Sequence, residues 1–366
     1  MVRLTFFGDF VSKDPSLITL DAMMLQMLYQ SDLLALNFEA PIKTAATPIK
    51  KSGPSICQSG KTPTYLEGLG FNIIQLANNH IMDYGPDGVL QTIEAFQKAT
   101  VIGAGPKDHA YTAAVKDVKG VKVGLISITQ KEFGTLDDFS SPQDIGTAWF
   151  GYNEIDNIIR ETKQNCDILV VLPHAGIENI DVPLPEWRLK YRKFIDWGAD
   201  AVIASHPHVP QGWETYNGKP IFYSLGNFYF FKPGFEHASK ASEGLCVSLL
   251  VHDDKSITTS VRHTKFNDSQ LSLYENKNKD KYLCDLIRDE DKYNAYLSEQ
   301  LDKLWEEYQL YIMRGLGSVG FRMKTKPFAH VAYGMLKGGD IPMLLNNFQC
   351  ESHRWAIERI LNNKLK

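Results

Sequence analysis

Apolar and polar positions repeat at two periods along this chain. Short apolar runs of strand length recur at Val2 to Phe7, Leu33 to Leu36, Asn72 to Ala77, Val101-Ile102, Ala113 to Val115, Val121 to Ile128, Asp167 to Leu172 and Ala199 to Ala204. Between them, apolar residues fall at helical spacing over Leu17 to Leu28, Tyr65 to Leu69, Pro86 to Lys98, a segment to Gln164 that Asn153 could cap, and Trp187 to Trp197. The short runs read as buried strands and the longer period as helices. Strands alternating with helices predict an α/β protein. Thr44 to Gly60 is rich in Thr, Ser, Pro and Lys and reads as a loop at the rim of a site. Two hairpins follow. Trp213 to Tyr216 and Lys219 to Tyr223 are joined by Asn217-Gly218, a strong hairpin signal; Leu245 to Val251 and Ser256 to Arg262 turn at Asp253-Asp254. Near residue 266 the pattern changes. Asn267 to Lys281 is polar, Tyr282 to Met313 has helical spacing, Gly315 to Pro327 interrupts it and Ile341 to Leu361 resumes it. The pattern predicts an α/β domain over residues 1–265 and a mainly helical extension over residues 266–366.

The strand ends carry the chemistry. Five apolar strand candidates run into a potential ligand: Asp9, Glu39, Asn79, His174, and His206 with His208. In α/β sheets, sites form beyond the carboxyl ends of strands. One such ending is ordinary, because acidic and amide residues favour turns. Five that mix carboxylate, amide and imidazole form a set of oxygen and nitrogen ligands suited to manganese, iron or zinc. Pro207 biases His206 to extended backbone, and residues two apart on an extended segment face the same way. His206 and His208 are therefore expected to face one centre. Asn79 and His80 are adjacent and would point to opposite sides. His109, His237, His252, His263, His330 and His353 lie outside any motif and read as structural, and the Trp and Tyr residues of the last hundred positions read as helix core.

Composition narrows the setting. The 366 residues carry a formal net charge of −4, which gives no electrostatic case for nucleic acid or an anionic membrane. Cys57, Cys166, Cys246, Cys284 and Cys350 are scattered and form no CxxC pair, so no disulfide framework or thiolate zinc motif is suggested. The first residues are strand-like rather than basic-then-apolar, and no apolar run is long enough to span a bilayer. A cytoplasmic, reducing compartment is the expectation.

In this order, Gly8-Asp9, Asn37-Phe38-Glu39-Ala40-Pro41, Ala77-Asn78-Asn79-His80-Ile81-Met82-Asp83, His174-Ala175-Gly176-Ile177-Glu178, Ser205-His206-Pro207-His208-Val209 and Ser224-Leu225-Gly226-Asn227-Phe228 form a specific series. The chain over residues 2 to 265 resembles the CapA family of bacterial capsule and poly-gamma-glutamate synthesis proteins, itself similar to the calcineurin-like metallophosphoesterases. The resemblance implies a metallophosphoesterase-like two-sheet sandwich flanked by helices, with residues 266–366 outside it as a C-terminal helical extension. It implies two divalent metal ions: Asp9 and His208 on the first, Asn79, His174 and His206 on the second, and Glu39 bridging. His80 would be the general acid or orient the reacting group, with Glu178 and Asn227 on the substrate side. Two departures from the phosphoesterases stand out. Val11 occupies the place of a histidine of the first strand, and Glu39 that of a bridging Asp. Both look like the CapA pattern, and they leave the first ion with fewer protein ligands.

The implied function is a metal-dependent hydrolase in capsule or extracellular polymer biosynthesis, acting on poly-gamma-glutamate or polysaccharide at an amide or phosphoester bond. Two alternatives stay open: a non-catalytic polymer-assembly factor on the same fold, and a small-molecule phosphodiesterase. Membrane-bound capsule synthesis proteins are the expected partners, and the C-terminal helices offer a route to a homo-oligomer.

Overall fold

The computed structural model describes residues 1–231, 241–267, 269–318 and 341–364. His237, His330 and most of the predicted interruption from Gly315 to Pro327 lie outside the described residues. The fold is mixed α/β and is built on two large sheets. A nine-stranded sheet runs in the order Thr19–Leu20, Gln270–Tyr274, Ile257–Asn267, Glu243–Val251, Val2–Val11, Leu33–Phe38, Ile73–Gln75, Thr100–Ile102, with Asn227–Phe230 also paired to Val2–Val11. A six-stranded sheet runs Trp213–Tyr216, Lys219–Phe222, Ala201–Ile203, Ile168–His174, Val121–Thr129, Ala114–Val118. Ala104–Pro106, Ile145–Ala148 and Thr135–Leu136 form a small third sheet.

The central strands are apolar along their whole length because both faces are covered. On Ile168–His174, Ile168, Val170 and Leu172 join the core between the two sheets, where Leu4, Phe6, Ala35 and Val247 meet them. Leu169 and Val171 face the other way, onto helices Ile155–Gln164 and Pro185–Trp197. The outer face of the first sheet is covered in turn by Met24, Leu66 and Val89 from helices Ala22–Tyr29, Thr62–Gly68 and Gly85–Ala95. The layers are thus helix, sheet, sheet, helix. The C-terminal helices join the layer outside the second sheet through Ile287, Tyr293, Leu297, Ala356 and Ile360. Among the described residues, no helix is long and apolar enough to cross a membrane.

Several predicted boundaries shift for local reasons. The helix expected from Leu17 begins at Ala22, because Asp21 caps it by accepting from the Met24 amide at 2.7 Å; Pro15–Leu17 is a 3₁₀ turn. Asn153 caps nothing: the next helix starts at Ile155, and the Asn153 amide donates to Asp138. The long helical pattern after residue 282 is two helices, Lys277–Arg288 and Glu290–Ser318, divided at Asp289, whose carboxylate accepts from the Lys292 amide. The pattern from Ile341 is likewise two helices, Ile341–Gln349 and Glu351–Lys364, divided at Cys350.

The first strand forks where the site begins. Val2 to Phe7 pairs antiparallel with Glu243–Val251, whereas Asp9 to Val11 pairs parallel with Asn227–Phe230. Gly8 stands at the fork. A Cβ there would lie 1.8 Å from the Gly226 carbonyl oxygen, so only glycine lets the two backbones approach. The Asp9 amide donates to that same oxygen at 3.0 Å.

Candidate metal centre

Asp9, Glu39, His174, His206 and His208 are all buried at the carboxyl ends of strands from both sheets. Asn37, opposite Asp9 on the parallel neighbour strand Leu33–Phe38, organises the oxygens. Its amide nitrogen donates to Asp9 Oδ1 at 2.7 Å and lies 3.4 Å from Glu39 Oε2, while Asn78 donates to its oxygen at 3.1 Å. One carboxylate oxygen from each of Asp9 and Glu39 and one ring nitrogen of His174 lie within 4.8 Å of one another, a group able to hold a metal ion.

The imidazoles meet these oxygens from the other sheet. His174 Nε2 lies 3.0 Å from Asn79 Oδ1 and 3.1 Å from His206 Nδ1. Its Nδ1 faces Ser205 Oγ and Asn37. His208 Nε2 lies 3.7 Å from Glu39 Oε1, and its Nδ1 lies 3.5 Å from Asp9 Oδ2 and 3.0 Å from Asn227 Oδ1. His206 Nε2 faces the Gln130 amide at 3.1 Å.

The backbone reaches this arrangement by a different route from the extended one expected. His206 and His208 both adopt positive φ, 104° and 59°. Left-handed backbone in non-glycine residues persists only where its surroundings impose it. Here the His206 amide donates to Asp9 Oδ2, and the Pro207 carbonyl accepts from the Asn179 amide. The two rings still come together, with centroids 6.2 Å apart. Asn79 and His80 lie on a bend rather than extended chain, and both line the cleft described below, Asn79 facing His174 and His80 facing Asp83.

Burial raises the Glu39 carboxyl well above the ordinary range, and the Asp9 charge adds to it. Burial also opposes ionisation of Asp9, yet its hydrogen bond to His208 and the charges of His174 and His208 win and hold it at about 2. Burial disfavours charge on His208 as well; Glu39, Asp9 and Glu178 outweigh that and lift it to about 10. His174 falls well below the usual imidazole range and His206 to about 4, both mainly through burial. Glu39 Oε1 is buried with no hydrogen-bond partner. Leaving a buried carboxylate oxygen unpaired costs about 1–3 kcal/mol or more. An ion beside it would remove that cost, so the residues fit a bound metal.

A cleft of about 270 Å³ opens over the centre, lined by Asn79, His80, Glu178, His206 and His208 among others. His80 Nδ1 is 2.8 Å from Asp83 Oδ2 and 3.2 Å from Lys51 Nζ, and Lys51 also pairs with Asp83. Burial and the Lys51 charge lower the His80 pKa. Glu178 is exposed on the cleft wall. Asn227 is fully buried behind His208 rather than on that wall. Lys51 and Gln130 escaped the sequence reading, and Asn37 and Asn78 stand in its motif series without an assigned role. The only signal for Lys51 was its place in the predicted rim loop. His353 and Tyr308, read from the sequence as structural and as helix core, also line the cleft.

The sequence model described as "Bacterial capsule synthesis protein PGA_cap" matches residues 12–232. The chain is 33% identical over 211 residues to the capsule biosynthesis protein CapA of Bacillus anthracis, covering 56% of this chain and 51% of that protein. It is 35% identical over 207 residues to the PGA biosynthesis protein CapA of Bacillus subtilis, covering 55% and 53%. The chain therefore spans about half the length of the curated relatives it matches. Among solved structures it is similar to a hypothetical protein from Thermus thermophilus, at 14% identity and TM-score 0.45, covering 72% of this chain and 99% of that one. It is also similar to the Thermus thermophilus sulfate thiohydrolase SoxB, at 10% identity and TM-score 0.40, covering 82% and 60%. These structural likenesses carry no argument. The sequence match does, because it runs over more than half of the chain, from residue 12 to residue 232: the chain belongs to the bacterial capsule synthesis protein family PGA_cap.

Proposed function

We propose that this chain is a metal-dependent hydrolase of the CapA type, acting in the biosynthesis of a capsular or extracellular polymer, poly-gamma-glutamate or polysaccharide. Asp9 and His208 would hold one divalent transition ion, Asn79, His174 and His206 a second, with Glu39 shared between them. The observation that carries this reading is the buried Glu39 Oε1, which has no hydrogen-bond partner and faces His174 and His208 within a set of manganese-, iron- or zinc-type ligands. Bound ions of this kind act as Lewis acids and lower the pKa of bound water.

The chain's own residues have distinct tasks in this reading. Asn37 and Asn227 fix Asp9 and His208 in place, as outer hydrogen bonds orient metal ligands. Asp83 holds His80 by Nδ1, leaving Nε2 for the cleft. His80 then orients the reacting group or passes a proton to the leaving atom. Glu178 on the wall contacts substrate. The sequence boundary at residue 265 moves, because strand Gln270–Tyr274 pairs within the first sheet; the hydrolase unit would run through that strand, and the helical extension would begin at Lys277. The working setting is cytoplasmic, with membrane-bound synthesis proteins or a second copy as partners through the C-terminal helices, and no nucleic acid.

The test is a metal-loaded preparation screened against capsule polymers and model phosphoesters. Stoichiometric transition metal with polymer hydrolysis supports the proposal. Failure to retain metal would instead favour a non-catalytic assembly factor. Hydrolysis confined to small phosphodiesters would favour a small-molecule phosphodiesterase.

A further inference from the structure

A second group of ligating side chains lies outside the centre described above. Glu132 follows the second-sheet strand Val121–Thr129, and Cys350 and His353 lie at the break between the last two helices. One ligand atom from each of these three residues falls within 4.8 Å of the others. Glu132 and Cys350 are buried and His353 is half-buried. The His353 Nδ1 atom is itself buried and has no hydrogen-bond partner. A buried imidazole nitrogen without a partner is costly unless something binds it.

The surroundings hold the three groups in place. Glu132 accepts from the Gln130 amide at 3.1 Å, and Asn346 and the Cys350 thiol contact its carboxyl. The Cys350 sulfur receives the His353 backbone N–H at the start of helix Glu351–Lys364. The flanking residues are pinned as well. Glu351 accepts from the Lys131 amide at 2.7 Å and from Trp149 Nε1 at 2.9 Å, and Ser352 Oγ bonds Gln130 Oε1 at 2.6 Å. Glu132 and His353 also reach the cleft wall, which gives an ion a way in.

We propose that Glu132, Cys350 and His353 form a separate, thiolate-containing site for one divalent ion of zinc type, clasping the C-terminal helices to the sheet beside the cleft. Sulfur, imidazole and carboxylate together suit zinc and disfavour magnesium or calcium. Zinc bonds of about 2.0–2.3 Å set tetrahedral ligand atoms about 3.3–3.8 Å apart, so atoms already within 4.8 Å of one another need close by no more than about 1.5 Å. Three protein ligands leave a fourth position open toward the cleft. Burial lifts the Glu132 carboxyl to about 7 and, with Glu132, the Cys350 thiol well above its usual range. Binding therefore releases the thiol proton, and whatever proton Glu132 carries, to solvent. The main centre is not needed for this site, and the two are spectroscopically distinct because none of Asp9, Glu39, Asn79, His174, His206 and His208 supplies sulfur.

The experiment strips the full chain of metal and titrates it with Co²⁺, following the near-ultraviolet thiolate-to-cobalt charge-transfer band. The wild-type chain should develop the band, saturating at one equivalent for this site. His174→Ala and Cys57→Ser should keep it, and Cys350→Ser should abolish it. No band in folded wild-type protein overturns the site whatever the variants do, and so does a band that survives Cys350→Ser. Should Cys350→Ser not fold, His353→Gln decides: the Co²⁺ affinity read at the band should fall by about tenfold or more, and an unchanged affinity overturns the assignment. Loss of the main centre's metal in His174→Ala with the band intact would separate this site from the hydrolase reading.

Discussion

The two sheets bring different chemistry to their shared edge. The first contributes oxygens: Asp9, Glu39 and Asn79, with Asn37 among them. The second contributes nitrogens: His174, His206 and His208. Neither set reads as a complete ligand shell. The carboxylates alone would be held back by burial and then by mutual repulsion, the two causes that raise Glu39. The imidazoles alone are pushed toward neutrality by burial. Each set becomes reasonable only against the other, and the apolar core between the sheets fixes their spacing. The centre is thus a product of the sandwich, not of either sheet.

The strongest way to break this comparison is to remove one side. Under the hydrolase reading, His174→Ala should strip the centre's metal and abolish hydrolysis, and Glu39→Gln should do the same from the other sheet. Metal content after identical loading and dialysis reads both. If either variant keeps its ions, the residue removed is not a ligand the centre requires. His80→Asn should retain metal and slow turnover by about 10²–10⁴-fold; metal loss equal to that of His174→Ala would make His80 a ligand instead. Leu172→Ala in the core between the sheets should lower unfolding free energy by about 2–5 kcal/mol in denaturant titrations. The fraction that stays folded should bind metal normally, and selective metal loss would show that the sheets can slip while folded. The smallest effect is expected from Val11→His, which adds an imidazole near Asp9 and should raise occupancy of the ion held by Asp9 and His208. Equal occupancy of both ions in the wild type would remove the asymmetry that predicts it.

Strand existence and the strand-end residues were legible because burial on both faces leaves continuous apolar runs, and the polar residue that ends each run is abrupt. The hairpin at Asn217-Gly218 was legible for the same kind of local reason: its turn needs positive φ, and Asn217 and Gly218 adopt it. Less was legible where one residue's conformation is set by another far away. The left-handed backbone at His206 depends on Asp9, 197 residues earlier. Lys51 is brought to the site by its contacts with Asp83 and His80. The break at Cys350 hid inside a helical period, since Glu132 and Lys131, which engage it and its neighbour, are more than two hundred residues away.

The fork at Gly8 has a bearing on how freely this protein can change. Most buried positions tolerate exchange of one apolar side chain for another of similar volume. Gly8 has no such latitude. A single added carbon would push away Gly226, whose neighbour Asn227 holds His208, and would disturb the amide contact beside Asp9. In a library selected only for soluble expression, Gly8 variants that survive should be the ones whose carboxylate and imidazole have parted company. A designer moving this centre to another scaffold would need to copy that backbone contact before copying any ligand.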